Sequence, residues 1–223
     1  MGFLSKIYLS AYNLVQAAGW SAILYTLLSH YTIATSESTL WDKIYYSLLI
    51  FQNAAILEVI HTILGLVRAS AFVTLVQVAS RVAVCAILVS LPPSYIASSI
   101  ALQLTVLAWS ITEIVRYSYY FTNIIGYVPY FLTWLRYTMF IALYPIGITG
   151  ELLCYYLALT YTRSHPELWT YSLPNEWNFT FNYCYFIIIC MLLYIPGFPK
   201  MYSHMFSQRK KVLGSEAKTK KGQ

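Results

Sequence analysis

A phenol and a carboxyl group recur on one face of a strongly apolar segment. Tyr137, Tyr144 and Glu151 follow one another at seven-residue intervals, and in an α-helix this spacing drifts by only about 20° per step. Between Tyr144 and Glu151 lie Pro145 and two glycines, which distort a helix and allow a ligand or another backbone to approach closely. The phenol and the carboxyl could address neighbouring atoms of one substrate as general acid and base. The alternative is an aromatic packing stripe that carries an incidental glutamate.

Other ionisable side chains also interrupt apolar segments, where a charge is costly and is by default a candidate for function. They are Glu58, His61, Arg81 and Glu113, with Arg68, Arg116 and Arg136 nearer the segment ends. These acids and bases either neutralise one another between helices or belong to a site. No set of His, Cys and carboxylate side chains has the spacing of metal ligands, so we predict no metal and no cofactor.

The composition indicates which elements must position these groups. Hydrophobic residues make up 59% of the 223 residues and charged residues only 10%, whereas soluble domains are roughly 25% charged. The solvent for most of the chain is therefore lipid, and the length allows about six spanning helices. We predict an all-α, polytopic membrane bundle with spans at residues 12–31, 44–67, 69–91, 95–117, 131–159 and 179–199. Residues 1–207 would form the transmembrane domain, and residues 208–223 a basic, disordered tail.

Basic residues are concentrated on one predicted side of the membrane. Six spans place both termini together, on the side of Lys6 and the basic tail, whereas Glu37 and Asp42 lie opposite. Because lysine and arginine mark the cytosolic side, both termini are predicted to be cytosolic. A basic tail beside a span favours a lipid surface, and not nucleic acid, as its neighbour. The ending Lys220-Lys221-Gly222-Gln223 has the form of a dilysine signal, which predicts a multi-pass protein of the endoplasmic reticulum.

Several ordered blocks carry a family resemblance. The run Leu135-Arg136-Tyr137-Thr138, followed by Leu143-Tyr144-Pro145 and Gly150-Glu151, resembles the signature of the very-long-chain (3R)-3-hydroxyacyl-CoA dehydratases of fatty-acid elongation. Blocks at 57–68, 77–81, 109–117 and 194–202 resemble the same family, with the plant Pasticcino-type members most similar. The resemblance covers nearly the whole chain, in order.

This resemblance implies an endoplasmic-reticulum enzyme for the third step of elongation, the dehydration of a (3R)-3-hydroxyacyl-CoA to a trans-2-enoyl-CoA. The catalytic Tyr and Glu of the family, seven residues apart, correspond to Tyr144 and Glu151. We expect Glu151 to take the α-proton and Tyr144, protonated at neutral pH, to serve the departing hydroxyl, although these roles could be exchanged. The implied partners are acyl-CoA, membrane lipid and the other elongation enzymes (the condensing enzyme and the reductases).

The CoA moiety is expected at the cytosolic rim. Arg68, Arg116 and Arg136 are candidates to bind its phosphates, and Tyr137 is a further candidate for substrate binding. Glu151, however, is predicted nearer the opposite end of its span. Either a cavity reaches deep into the bundle, or the boundary of the fifth span is wrong.

Two other function classes stay open. A non-catalytic family member, acting as a scaffold or acyl-CoA binder in the elongase complex, would still bind its ligand after Tyr144→Phe. A small transporter or channel would use the intramembrane charges as a polar path. A cysteine-dependent phosphatase is excluded, because no cysteine is followed six residues later by an arginine.

Overall fold

The computed structural model describes residues 2–32, 38–97 and 99–221, with side chains up to residue 214. Within these ranges the chain forms nine helices: α1 Phe3–Thr32, α2 Leu40–Ala54, α3 Ile56–Ile63, α4 Ala71–Val89, α5 Pro93–Ala97, α6 Ile100–Ile125, α7 Tyr130–Thr138, α8 Phe140–Ser164 and α9 Tyr183–Lys221. The predicted all-helical class is confirmed. Glu37 and the last two residues of the predicted dilysine signal lie outside the described residues.

Local sequence signals account for several helix ends. Thr39 and Asp42 form a reciprocal capping box that begins α2, and the hydroxyls of Ser70 and Ser99 accept backbone N–H bonds at the starts of α4 and α6. These caps satisfy N–H groups that have no partner within the helix. Gly126, at φ 94°, ends α6 in a left-handed conformation that glycine adopts without strain.

Four stretches of helix are long and apolar enough to cross a membrane: Leu40–Ile63, Ala71–Val89, Phe140–Ser164 and Tyr183–Gly214. They match the predicted second, third, fifth and sixth spans. The helices at the predicted first and fourth spans, α1 and α6, are 30 and 26 residues long but are not among the four.

The core forms where α1 packs along α6 and α6 packs along α8. Large side chains such as Trp20, Trp109 and Tyr155 are almost completely buried there. Polar side chains are buried as well, among them Asn13, Gln16, Thr105, Ser110 and Glu113. Several polar side chains of α1 and α6 therefore face the protein interior.

Several bounds of the predicted elements are wrong. The predicted second span, 44–67, is divided at Ala55 into α2 and α3, and the fourth, 95–117, is displaced to Ile100–Ile125. The predicted fifth span, 131–159, is interrupted at Met139, so that α8 begins at Phe140. As a consequence, Glu151 lies near the middle of α8 and not near its far end. The tail predicted to be disordered is helical through Lys221, because extending an existing helix avoids the cost of nucleating a new one.

Candidate functional site

The site is built on a close crossing of α6 and α8. A Cβ atom at Gly150 would lie 2.6 Å from the backbone nitrogen of Thr105, and one at Gly147 would lie 3.4 Å from the Cβ of Ala108. Only glycine permits the first approach, since real Cβ contacts are essentially never that short. The sequence left open whether the glycines between Tyr144 and Glu151 admit a ligand or another backbone. At Gly150 they admit the backbone of α6.

This crossing places Trp109 of α6 against Glu151 of α8. The indole Nε1 of Trp109 donates a hydrogen bond of 2.7 Å to Oε1 of Glu151. From α9, the hydroxyl of Tyr194 donates a hydrogen bond of 2.7 Å to Oε2. Glu151 is only 8% exposed. A buried carboxylate is therefore held at both oxygens by donors from two neighbouring helices.

Tyr144 lies in a different environment on the same helix. Its ring stacks against Phe198 at 5.5 Å and Tyr202 at 5.8 Å between centroids, both on α9. Among the described residues its hydroxyl has no hydrogen-bond partner, and no bond joins it to Glu151. The aromatic stripe of the alternative interpretation is thus present around Tyr144, and its hydroxyl is available to a bound molecule.

Tyr202 supplies a hydrogen bond that α8 lacks beside Tyr144. Pro145 lacks an N–H and cannot bond to the carbonyl oxygen of Ile141, four residues earlier. The Tyr202 hydroxyl donates to this oxygen at 3.0 Å. An α9 side chain therefore replaces the missing helix hydrogen bond while its ring packs on Tyr144.

The other intramembrane charges neutralise one another. Arg116 donates two hydrogen bonds to Glu58, at 2.6 and 2.8 Å, and one of 2.7 Å to Glu113. Arg81 forms an ion pair with Glu113, and the Tyr117 hydroxyl donates to Glu58. These ion pairs join α3, α4 and α6. Glu58, Arg81, Glu113 and Arg116 thus follow the first of the two interpretations drawn from the sequence.

This charge network borders the site through one aromatic ring. The Arg81 guanidinium carbon lies 5.4 Å from the centroid of the Trp109 ring, within cation–π range. His61 belongs to the opposite edge of the network, where its Nε2 is 2.9 Å from the Tyr8 hydroxyl and its ring packs edge-on against Tyr12.

A groove of about 230 Å³ lies between α6, α7, α8 and α9; we call it the arginine groove. Its lining includes Arg116, Arg136, Tyr137, Leu143 and Gln208. It brings together three of the four residues predicted to bind substrate. The fourth, Arg68, is exposed between α3 and α4 and does not line the groove. Leu143, which precedes Tyr144 on α8, lines the groove, but neither Tyr144 nor Glu151 does.

Arg136 is the arginine of this groove that is not engaged by a carboxylate among the described residues. It donates to the Tyr120 hydroxyl at 3.1 Å, and its guanidinium lies 4.6 Å from the ring centroids of both Tyr119 and Tyr120. Its Nε is buried without a partner in the described part of the chain. A guanidinium that packs against two aromatic rings and has a donor to spare is suited to an anionic group.

Sequence reasoning assigned no role to Trp109, Tyr194 or Tyr202. Each comes from a helix other than α8, so no spacing within one segment relates it to Glu151 or Tyr144. Two signals were available: all three lie in the blocks 109–117 and 194–202 that resemble the family, and each is a polar-tipped aromatic residue in an apolar segment. Neither signal singles them out among 22 tyrosines and six tryptophans. Among the described residues no group of three His, Cys, Asp or Glu side chains could hold a metal ion.

Comparison with known proteins gives matches over most of the chain. A family model described as protein tyrosine phosphatase-like protein, PTPLA, matches residues 52–215. The chain is 42% identical over 221 residues to very-long-chain (3R)-3-hydroxyacyl-CoA dehydratase 2 of Mus musculus, covering 99% of this chain and 86% of the mouse protein.

A nematode and a plant also have proteins similar to this chain. The dehydratase hpo-8 of Caenorhabditis elegans is 42% identical over 216 residues, 96% of this chain and 98% of the nematode protein. The dehydratase PASTICCINO 2 of Arabidopsis thaliana is 39% identical over 217 residues, 95% of this chain and 96% of the plant protein. The plant protein is thus similar to this chain to about the same degree as the animal proteins. No solved structure matches the chain.

Proposed function

This chain belongs to the protein tyrosine phosphatase-like (PTPLA) family, and we propose that, as the names of its relatives indicate, it is a very-long-chain (3R)-3-hydroxyacyl-CoA dehydratase. It is a lyase of the hydro-lyase class, acting in fatty-acid elongation. The reaction removes water from a (3R)-3-hydroxyacyl-CoA and leaves a trans-2-enoyl-CoA. The structural observation that supports this proposal is that α8 carries both a buried carboxylate, Glu151, and a tyrosine, Tyr144, whose hydroxyl has no partner among the described residues.

The proposed mechanism divides the reaction between these two groups. The Glu151 carboxylate takes the proton from C2, and the electron pair of that C–H bond becomes the C2=C3 double bond. The C3–O bond breaks, and the Tyr144 hydroxyl gives its proton to the departing oxygen, which leaves as water. Two observations support this assignment: donors orient the Glu151 oxygens, and the Tyr144 hydroxyl has no competing partner among the described residues.

The arginine groove is the proposed place for part of the CoA moiety. Arg136 is the main candidate for a phosphate, with Tyr137 beside it, because Arg116 is already bonded to two carboxylates. The groove borders the first turn of α8, at Phe140 and Leu143, and α8 also carries both catalytic candidates, which supports binding of the CoA moiety near them. Arg68 is the weakest of the candidates, since it is exposed and does not line the groove.

We further propose six spans with both termini in the cytosol, in the membrane of the endoplasmic reticulum. The lengths of α1 and α6, about 45 and 39 Å at 1.5 Å per residue, support their addition to the four apolar spans. The placement of Lys and Arg residues and the Lys220-Lys221 ending support the orientation and the compartment. Residues 1–207 are then the catalytic domain, and residues 208–223 a cytosolic extension.

The proposed reaction also defines the neighbouring enzymes. Its substrate comes from a reductase that acts on the 3-ketoacyl-CoA made by a condensing enzyme, and its product is consumed by a second reductase. These enzymes are the proposed partners, together with the surrounding lipid.

The function is tested by offering the purified chain in detergent a long-chain 3-hydroxyacyl-CoA of each configuration. We expect the (3R) substrate to give the trans-2-enoyl-CoA and the (3S) substrate to give little product. An inactive chain that binds acyl-CoA would contradict the proposal and favour a scaffold. An inactive chain that carries solute across proteoliposomes would favour a transporter.

The word phosphatase in the family description has no counterpart in the chemistry of this chain. Cysteine-dependent phosphatases place an arginine six residues after the nucleophile, and here the residues at that distance from Cys85, Cys154, Cys184 and Cys190 are Leu, Thr, Cys and Pro. Two of the cysteines, Cys85 and Cys154, are also buried in the core.

A further inference from the structure

We infer that Trp109 and Tyr194 are positioning residues of the reaction, each of which holds one oxygen of the Glu151 carboxylate. This inference rests on the proposed function, because it assumes that Glu151 is the base. It adds two residues, from two other helices, to the Tyr144–Glu151 pair.

The two hydrogen bonds have a defined direction. An indole N–H can only donate, so Oε1 of Glu151 must accept from Trp109 at 2.7 Å. The Tyr194 hydroxyl donates to Oε2, also at 2.7 Å. Each carboxylate oxygen has two acceptor sites. The two donors fill one site on each oxygen, and the other site on each oxygen can accept the substrate proton.

Both donors are themselves held in place. Trp109 is 2% exposed, and the Arg81 guanidinium lies over its ring at 5.4 Å, on the side of the charge network. Tyr194 packs edge-on against the buried Tyr155, with 5.8 Å between ring centroids. The carboxylate of α8 is therefore bonded to α6 by a buried indole and to α9 by a half-buried phenol.

The consequence for catalysis is geometric. A glutamate side chain rotates about three bonds, and a free carboxylate would sample many positions relative to C2 of the substrate. An error of about 1 Å in the placement of a reacting group costs on the order of a hundredfold in rate. The two donors remove this freedom without touching the substrate, so their loss should lower kcat and leave KM nearly unchanged.

The test compares Tyr194→Phe and Trp109→Phe with two matched controls in the purified full-length chain. Tyr183 is another tyrosine of α9, but its hydroxyl is 3.0 Å from that of Ser90, so Tyr183→Phe removes a hydrogen-bonded hydroxyl elsewhere on the same helix. Trp20 is as buried as Trp109, and its Nε1 has no partner among the described residues, so Trp20→Phe controls for the loss of an indole.

We expect kcat to fall about ten- to a hundredfold in Tyr194→Phe and in Trp109→Phe, with KM within about twofold of wild type. Both controls should keep kcat within about threefold. A second measurement uses infrared difference spectra against Glu151→Gln, which isolate the carboxylate band of Glu151. That band should move in the two donor variants and stay in place in the controls, a change that a purely structural role would not produce.

Several outcomes would overturn the inference. Wild-type kcat in Tyr194→Phe and Trp109→Phe would do so, as would a raised KM with kcat unchanged, or a carboxylate band that does not move. If one donor variant does not fold, the other carries the test alone, because the two lie on different helices. An active wild-type enzyme with active donor variants would refute only the positioning roles, whereas an inactive wild-type chain would overturn the proposed function as well.

Discussion

At the scale of single residues, Glu151 and Tyr144 differ in burial and in hydrogen bonding. Glu151 is buried and its two oxygens accept hydrogen bonds, whereas the Tyr144 ring is stacked on α9 and its hydroxyl is unbonded within the described residues. A fixed acceptor suits a base that must meet one C–H bond, and a hydroxyl without a partner suits a donor to a leaving group.

Arg136 is predicted to govern substrate affinity and not turnover. Its guanidinium lines the arginine groove without a carboxylate partner among the described residues, so Arg136→Gln removes a charge from the proposed phosphate site without freeing a buried carboxylate. A hydrogen bond to a charged group contributes about 1.5–3 kcal/mol, and we expect KM for the acyl-CoA to rise on the order of tenfold or more. Steady-state kinetics check this, with kcat expected to change little.

The matched control for Arg136 is Arg163→Gln. Arg163 is exposed in the last turn of α8, at the other end of that helix from the arginine groove. Its replacement should leave KM unchanged. An Arg136→Gln variant with wild-type KM would mean that the CoA phosphates bind elsewhere.

At the scale of elements, the crossing of α6 and α8 sets the site. Gly150 gives α8 its contact with the backbone of Thr105, and the next residue, Glu151, meets Trp109, one turn after Thr105 on α6. The helix α9 then adds Tyr194 at Glu151 and Tyr202 at Tyr144. The site at Tyr144 and Glu151 of α8 is thus completed by side chains from α6 and α9.

Gly150→Ala is predicted to loosen this crossing. The new Cβ would lie 2.6 Å from a backbone atom of Thr105, which cannot move aside as a flexible side chain can. Overpacking of this kind costs about 1–3 kcal/mol, and it would also pull Glu151 away from Trp109. We expect a lower thermal unfolding midpoint in detergent together with a reduced kcat.

Gly197→Ala provides the comparison for Gly150→Ala, because a Cβ at Gly197 meets nothing within 4 Å. This variant should unfold at or slightly above the wild-type temperature, since alanine favours a helix over glycine. Equal midpoints for the two alanine variants would show that the α6–α8 contact is not tight.

The sequence allowed the candidate pair to be predicted but not its surroundings. Tyr144 and Glu151 lie on one helix, so their spacing was informative, whereas Trp109 and Tyr194 reach Glu151 through the tertiary packing of other helices. Hydropathy located the four stretches of helix that are long and apolar enough to cross a membrane. Hydropathy did not reveal the interruption at Met139. It also did not show that polar side chains of α1 and α6 are buried in the interior.

At the scale of the whole molecule, the chain is an all-helical protein with several helices able to cross a membrane. Its charge network joins α3, α4 and α6 through Glu58, Arg81, Glu113 and Arg116. The Glu151 carboxylate borders this network through Trp109, which contacts both Arg81 and Glu151.

The proposed topology predicts that both termini are exposed to the cytosol. In sealed microsomes, epitope tags at the N-terminus and at the C-terminus should each be removed by added protease without detergent. Six spans require the same result for both tags, because an even number of crossings returns the chain to its starting side. Protection of one tag alone would show an odd number of spans, and protection of both would reverse the orientation.

The most direct test of the dehydratase site measures single-turnover conversion of a (3R)-3-hydroxyacyl-CoA by wild type, Tyr144→Phe and Glu151→Gln. Both substitutions keep the size of the side chain and remove one reacting group. We predict that enoyl-CoA formation falls by at least about a hundredfold in each variant, as expected for a lost acid or base, while the acyl-CoA still binds and the chain stays folded. Conversion at the wild-type rate in either variant would contradict the account.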